Sequence, residues 1–140
     1  MKRILVGIDG SPEAAVAADK AADLAAATGA SLQLMYVVPP HVPPGPAAYV
    51  SDTERRELVE RDYVPALLHE LDLRCRRPGV AVDTATAIGP VAEALADTAA
   101  QGFDLVVVGH RGRGGVAQRL LGSVAKRLVQ ISPRPVLVVR

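Results

Sequence analysis

The sequence predicts an α/β fold, one five-stranded parallel sheet with helices on both faces. Three observations lead there. Five short β-forming runs recur along the chain. A segment of helical character separates each from the next, the alternation that builds parallel sheets through crossover connections. The chain has 140 residues, 49% of them apolar, enough for one domain (1–140) around one sheet.

RILVGID (3–9) is the first strand, an apolar run covered on both faces. Ser11 and Pro12 start a helix: serine caps free N–H groups, and proline at the first helical position loses no hydrogen bond. This helix extends to about Thr28, where Gly29 supplies a left-handed stop. SLQLMYVV (31–38) is the second strand. PPHVPPGPAAYV (39–50), with five prolines, is read as a solvent loop. Ser51 and Glu54 have capping-box spacing and open a helix to about Arg76, with Leu58, Val59, Tyr63, Leu67 and Leu71 as its apolar stripe. VAVDTATAIG (80–89) is the third strand, and Pro90 begins a helix that ends near Gly102. DLVVVG (104–109) is the fourth strand, a helix runs from Ser123 to Ile131, and PVLVVR (135–140) is the fifth strand. Right-handed crossovers leave few topologies, and the flavodoxin-like order 3-2-1-4-5 is expected. Strands one and four are then neighbours, with a ligand crevice at their C-terminal ends.

Composition excludes several functions. Net charge is +1, and one Phe, three Tyr and no Trp offer little stacking surface, so no nucleic-acid partner is expected. Cys75, alone between Arg74 and Arg76, can form neither an internal disulfide nor a zinc cluster, and is expected as a solvated thiol. The first apolar run is too short for a signal peptide, and no stretch reaches the ~18 apolar residues of a membrane span. A soluble, cytoplasmic protein is expected.

The stretch GHRGRGGVAQRLLGS (109–123) joins strand four to the last helix with five glycines, three arginines and no acid. Gly112 follows Gly109 after two residues, Gly114 and Gly115 let the backbone bend towards a ligand, and Gly122-Ser123 opens a helix whose free N–H groups attract anions. The turn 109–115 and the helix start 122–124 can therefore clasp a phosphate chain, with Arg111, Arg113 and Arg119 adding charge-assisted bonds. The same residues also fit a plain turn: Gly109 as a strand end, Gly122 as an N-cap, the arginines as a solvated rim. The stretch is neither a Walker loop, lacking GK[ST], nor a dinucleotide fingerprint, lacking GxGxxG. A side chain at Gly122 is expected to fill the phosphate approach and leave the fold largely intact.

Gly109, Gly112, Gly122 and Ser123 stand in the spacing G-2x-G-9x-G-[ST]. With VGIDGS at the first strand and SPRPVLVV at the end, the chain resembles the universal stress protein family, in its ATP-binding branch, from Ile4 to Val139. One departure is Gly89-Pro90, where the family often has G-x-P. The resemblance implies bound ATP with Mg²⁺ held by the phosphates. Gly7 and Asp9 would lie against the nucleoside, and the Val37 backbone would meet adenine. Gly109, Gly112, Gly122 and Ser123 would hold ribose and phosphates, with Val124 and Ala125 continuing the contact and His110, Arg111, Arg113 and Gly114 lining the loop. Asp9 also fits a helix-capping role. His110 has no acid near it in sequence and makes a poor catalytic base. The resemblance further implies a homodimer through the last strand (135–139) and a stress-response regulator, read by an unknown protein partner and at most a slow ATPase. The alternative is a dimeric interaction protein of the same fold without nucleotide.

Overall fold

The computed structural model describes residues 1–40, 51–112 and 120–140. Within these, β1 (Arg3–Ile8), β2 (Ser31–Val38), β3 (Val82–Ile88), β4 (Leu105–Gly109) and β5 (Val136–Val139) form one parallel sheet in the order β3-β2-β1-β4-β5. The expected topology is observed. His41, Arg113, Gly114, Gly115 and Arg119 lie outside the described residues, as does most of the proline-rich stretch.

Two apolar layers sandwich the sheet. Because strand side chains alternate, Ile4, Val6 and Ile8 face α1 (Pro12–Thr28) and α3 (Val64–Cys75), while Leu5 faces α4 (Val91–Ala99) and α5 (Ser123–Ile131). Helix α1 meets the sheet through alanines. Ala17, Ala18, Ala21, Ala22 and Ala25 are all fully buried, and their small side chains bring the helix axis close to the strands. Its ends follow the sequence: Ser11 Oγ accepts from the Ala14 N–H at 3.1 Å, and Gly29 stops the helix at φ 76°. At the opposite end of the sheet from the crevice, the Asp104 carboxylate accepts the Lys2 and Arg3 N–H groups at 2.7 and 2.9 Å. Those bonds, Lys2 first, hold its carboxyl below the usual range.

The helix expected over 51–76 is modified. Its capping box is present, with the Ser51 N–H donating to Glu54 at 2.7 Å. After α2 (Asp52–Leu58), however, a π-helical turn spans Val59–Tyr63, and the Val64 N–H donates to the Val59 carbonyl. The cause is visible in the sequence: Pro65 has no N–H to return to the carbonyl four residues back, and a wider turn absorbs the break. The extra residue shifts the helical phase. Leu58 is therefore exposed; Val59, Tyr63 and Leu67 of the expected stripe pack half-buried against the core, and the fully buried positions are Val64, Leu68, Leu71 and Cys75.

The reading of Cys75 is corrected, since it stands four residues after Leu71 on the same inward face. Its side chain is wholly buried, not solvated, and burial pushes the thiol up to about 11. Arg74 and Arg77 pull the other way without offsetting burial, their charges being shared with α1, while Arg76 pairs with Asp72 on its own helix. Arg74 Nε donates to Asp19 at 2.7 Å, and Arg77, two residues on, donates to Asp23 at 2.9 Å. The native protein is therefore expected to resist an aromatic disulfide reagent at neutral pH and to react only as it unfolds. Labelling across a urea titration checks this. Rapid labelling without urea would contradict the packing.

Candidate functional site

The strand order reverses between β1 and β4, so the turns that leave these two strands flank one crevice. The β1 turn is organised by Asp9. Its Oδ1 accepts the Ser11 N–H at 2.9 Å and the Ser11 hydroxyl at 2.5 Å, and Ser11 in turn caps α1. The capping role open to Asp9 is thus occupied by one oxygen. The other, Oδ2, faces Gly112 so closely that a β-carbon there would overlap it. The two turns are in direct contact.

The glycines of the loop have packing reasons. A β-carbon at Gly109 would lie 2.9 Å from the Glu13 carbonyl carbon and 3.0 Å from its oxygen, so this glycine lets the first turn of α1 press on the end of β4. Gly122 donates its N–H to the His110 carbonyl at 2.7 Å, and a β-carbon there would meet Arg111 Cα at 3.1 Å and His110 O at 3.2 Å. This amends the expectation for Gly122: a side chain there meets the loop's own main chain before any ligand. At Gly7 a β-carbon would meet Leu95 at 2.9 Å and Val108 at 3.1 Å, so that position serves the α4 layer.

Helix α5 starts at Ser123 with Gly122 as N-cap and no side-chain cap. Ser123 is exposed and Gly122 offers no side-chain cap, so among the described residues no side-chain cap serves the helix's first N–H groups. The Ala125 side chain is buried and Val124 packs on the same apolar layer, so both have only their main chain to offer a ligand. Across the crevice, β1 pairs with β2 as far as Ile8 and Tyr36, and Val37 is the first β2 residue past that register. The whole residue is buried, and on its other side it pairs with Ala87 of β3.

His110 and Arg111 are tied into the protein. The His110 N–H donates to the Val139 carbonyl at 2.8 Å, and its Nδ1 lies 3.3 Å from the same oxygen. Arg111 Nε donates to His110 Nε2 at 3.1 Å. An arginine can only donate, so Nε2 accepts and the ring proton sits on Nδ1, directed at Val139. Both ring nitrogens are engaged, which disfavours His110 as a base. Arg111 Nη2 also donates to Glu13 Oε1 at 3.1 Å. The loop holds no acid of its own, yet this arginine has one 98 positions away.

Sequence reasoning missed three residues at the crevice. Glu13 reads as an ordinary acid in a first helical turn, and nothing local links it to Arg111. Gly10 adopts φ 83°, and its missing side chain makes room for the Tyr63 hydroxyl. Tyr63 leaves the π-helical turn and packs edge-on against Tyr36, ring centroids 6.2 Å apart. The Pro65 break is the one signal that could have found it.

On the far side of the loop, His110, Leu120, Leu121, Val138 and Arg140 line a shallow hollow beside β5. Strand β5 ends the sheet, with Leu137 exposed. Among the described residues, no group of three or more His, Cys, Asp or Glu side chains could hold a metal ion, and no helix is long and apolar enough to cross a membrane.

Comparison with known proteins places this geometry. Residues 1–140 match the universal stress protein family. The chain is 35% identical to universal stress protein Rv1996 of Mycobacterium tuberculosis, over 97% of this chain and 47% of that protein. It is 34% identical to universal stress protein YxiE of Bacillus subtilis, over 99% of this chain and 98% of that protein. The chain thus spans about half the length of the mycobacterial relative and nearly all of the Bacillus one. Among solved structures, it superposes on the universal stress protein UspA from Lactobacillus plantarum with a TM-score of 0.84 at 25% identity, covering 99% of this chain and 97% of that one. It superposes on a universal stress protein in complex with cAMP with a TM-score of 0.74 at 28% identity, covering 99% and 96%.

Proposed function

The chain belongs to the universal stress protein family, and from that premise we propose that it binds an adenine nucleotide, ATP first among them, in the crevice between the ends of β1 and β4, and acts as a nucleotide-dependent regulator. The observation that carries this reading is the convergence of the Asp9 turn, Gly112 and the side-chain-uncapped start of α5 at one place. That a relative 28% identical is in complex with cAMP supports an adenine nucleotide as the ligand.

In this reading the main-chain N–H groups of Ser123, Val124 and Ala125 hold phosphate oxygens, aided by the partial positive charge of the helix start. Asp9, fixed by Ser11, offers Oδ2 to the ribose. The Val37 main chain meets adenine. Gly109, Gly112 and Gly122 shape the cradle, and His110 and Arg111 line its mouth. Gly7 contributes packing beneath. Mg²⁺ arrives on the phosphates, which supply the ligands that the described side chains lack.

Phosphoryl transfer requires a base or a positioned water. The engaged nitrogens of His110 argue for binding with at most slow hydrolysis. A regulator then works by population shift, if a second copy on the β5 edge or a protein partner distinguishes the bound from the empty form.

A second reading, an interaction protein without nucleotide, is favoured by one fact: Gly109, Gly112 and Gly122 each have a packing reason within the protein. Calorimetric titration with ATP, AMP, cAMP and GTP separates the two. Adenine nucleotides binding in the micromolar range, with GTP weaker, is the expected outcome. Heat-silent titrations with all four would favour the second reading.

A further inference from the structure

Arg111 is the charged side chain that the described residues place at the entry of the glycine loop, and it is not idle. Its Nη2 donates to Glu13 at 3.1 Å and its Nε to His110 at 3.1 Å, so two of its five N–H donors are used and the guanidinium is held in one orientation. The pair is sheltered, with about a quarter of each side chain exposed. Gly109 makes it possible, because only a residue without a β-carbon lets the Glu13 backbone come this close to β4. Two carboxylates border the first turn of the loop, Glu13 paired with Arg111 and Asp9 against Gly112.

We infer that Glu13 is a specificity-determining residue, one that sets how the site ranks nucleotides by phosphate charge. The inference rests on the adenine-nucleotide reading above. In the empty protein Glu13 neutralises Arg111 and orients it. An arriving phosphate must share the guanidinium with this carboxylate or displace it, and a phosphate near Arg111 also meets the Glu13 charge. Both costs rise with the number of phosphates that reach the loop mouth. AMP, with one phosphate at the α5 start, meets little of either. ATP, with a chain reaching past it, meets both. Glu13 thus narrows the preference for ATP over AMP that the loop's donors would otherwise give.

The test compares ATP and AMP affinities, without Mg²⁺ so that the phosphate charges are unmasked, for the wild type, Glu13→Gln, Arg111→Gln and the double variant. Glutamine keeps the size of Glu13 and removes its charge. Glu13→Gln is expected to raise the ATP-to-AMP affinity ratio by about fivefold, the scale of removing one nearby like charge at a partly exposed site. In the Arg111→Gln background the same change is expected to have at most half that effect, because the competition for the guanidinium is gone. Thermal unfolding of each variant reports whether the fold is kept, and Glu13→Ala serves as a second charge removal. An unchanged ratio in both Glu13 variants, with the wild type binding nucleotide, overturns this assignment alone and makes Glu13 only a helix-start acid. A wild type that binds neither nucleotide overturns the underlying reading as well.

Discussion

Gly109→Val is expected to destabilise the protein by about 1–3 kcal/mol or more, the range for overpacking a well-packed contact. The atoms in the way are the Glu13 carbonyl carbon, its Cβ and its oxygen, all at 2.9–3.0 Å from where a β-carbon would stand. They belong to the first turn of a helix, so no rotamer change relieves the clash. Helix α1 cannot retreat cheaply either, because Ala17, Ala18, Ala21 and Ala22 lock it onto the sheet without exposed surface. Urea and thermal unfolding should show the loss. The informative comparison is Gly7→Ala, whose β-carbon would meet the end of the flexible Leu95 side chain and should cost less. A stable Gly109→Val protein would mean that the close approach of α1 to β4 is wrong.

Gly112→Val should separate binding from stability. Gly112 is exposed, and the atom that a side chain would strike is the Asp9 carboxylate, not a helix backbone. The fold should lose little. The cradle should lose much, since Asp9 is pushed aside and the turn opens: a fall in ATP affinity of at least about 100-fold, or about 2.7 kcal/mol, is expected. Calorimetry beside urea unfolding checks both halves. Unchanged affinity would remove the Asp9–Gly112 contact from the site. The two glycines, three positions apart, thus make opposite predictions, one for the fold and one for the ligand.

Much of the fold was legible in the residues. Ser11-Pro12, Gly29 and the Ser51–Glu54 box act locally, through hydrogen bonds within one turn, and the structure places each where the sequence put it. The strand order followed from helix–strand alternation and the handedness of crossovers. What escaped was long-range or out of phase. The π-helical turn before Pro65 shifts the helix by one residue, which exposes Leu58, and it presents Tyr63 to Gly10; the burial of Cys75, four residues after Leu71, followed from the stripe, but its arginine neighbours drew the reading to solvent. The Glu13–Arg111 pair joins turns that only the β1–β4 adjacency brings together. The glycine spacing pointed to the candidate site, but the reason for each glycine lay in what packs against it. Gly109 answers to α1, Gly112 to Asp9 and Gly122 to the His110–Arg111 main chain, contacts that no spacing encodes.

The central claim is that an adenine nucleotide occupies the crevice between the ends of β1 and β4. The most direct measurement is an amide ¹H–¹⁵N correlation spectrum of the labelled protein, recorded during titration with ATP and Mg²⁺. The expected result is saturable shifts at Asp9–Ser11, Val37, Gly109–Gly112 and Gly122–Ala125, with the opposite end of the sheet, around Gly102 and Asp104, unmoved. A spectrum that ATP leaves unchanged, or one whose shifts avoid the two turns, would contradict the claim.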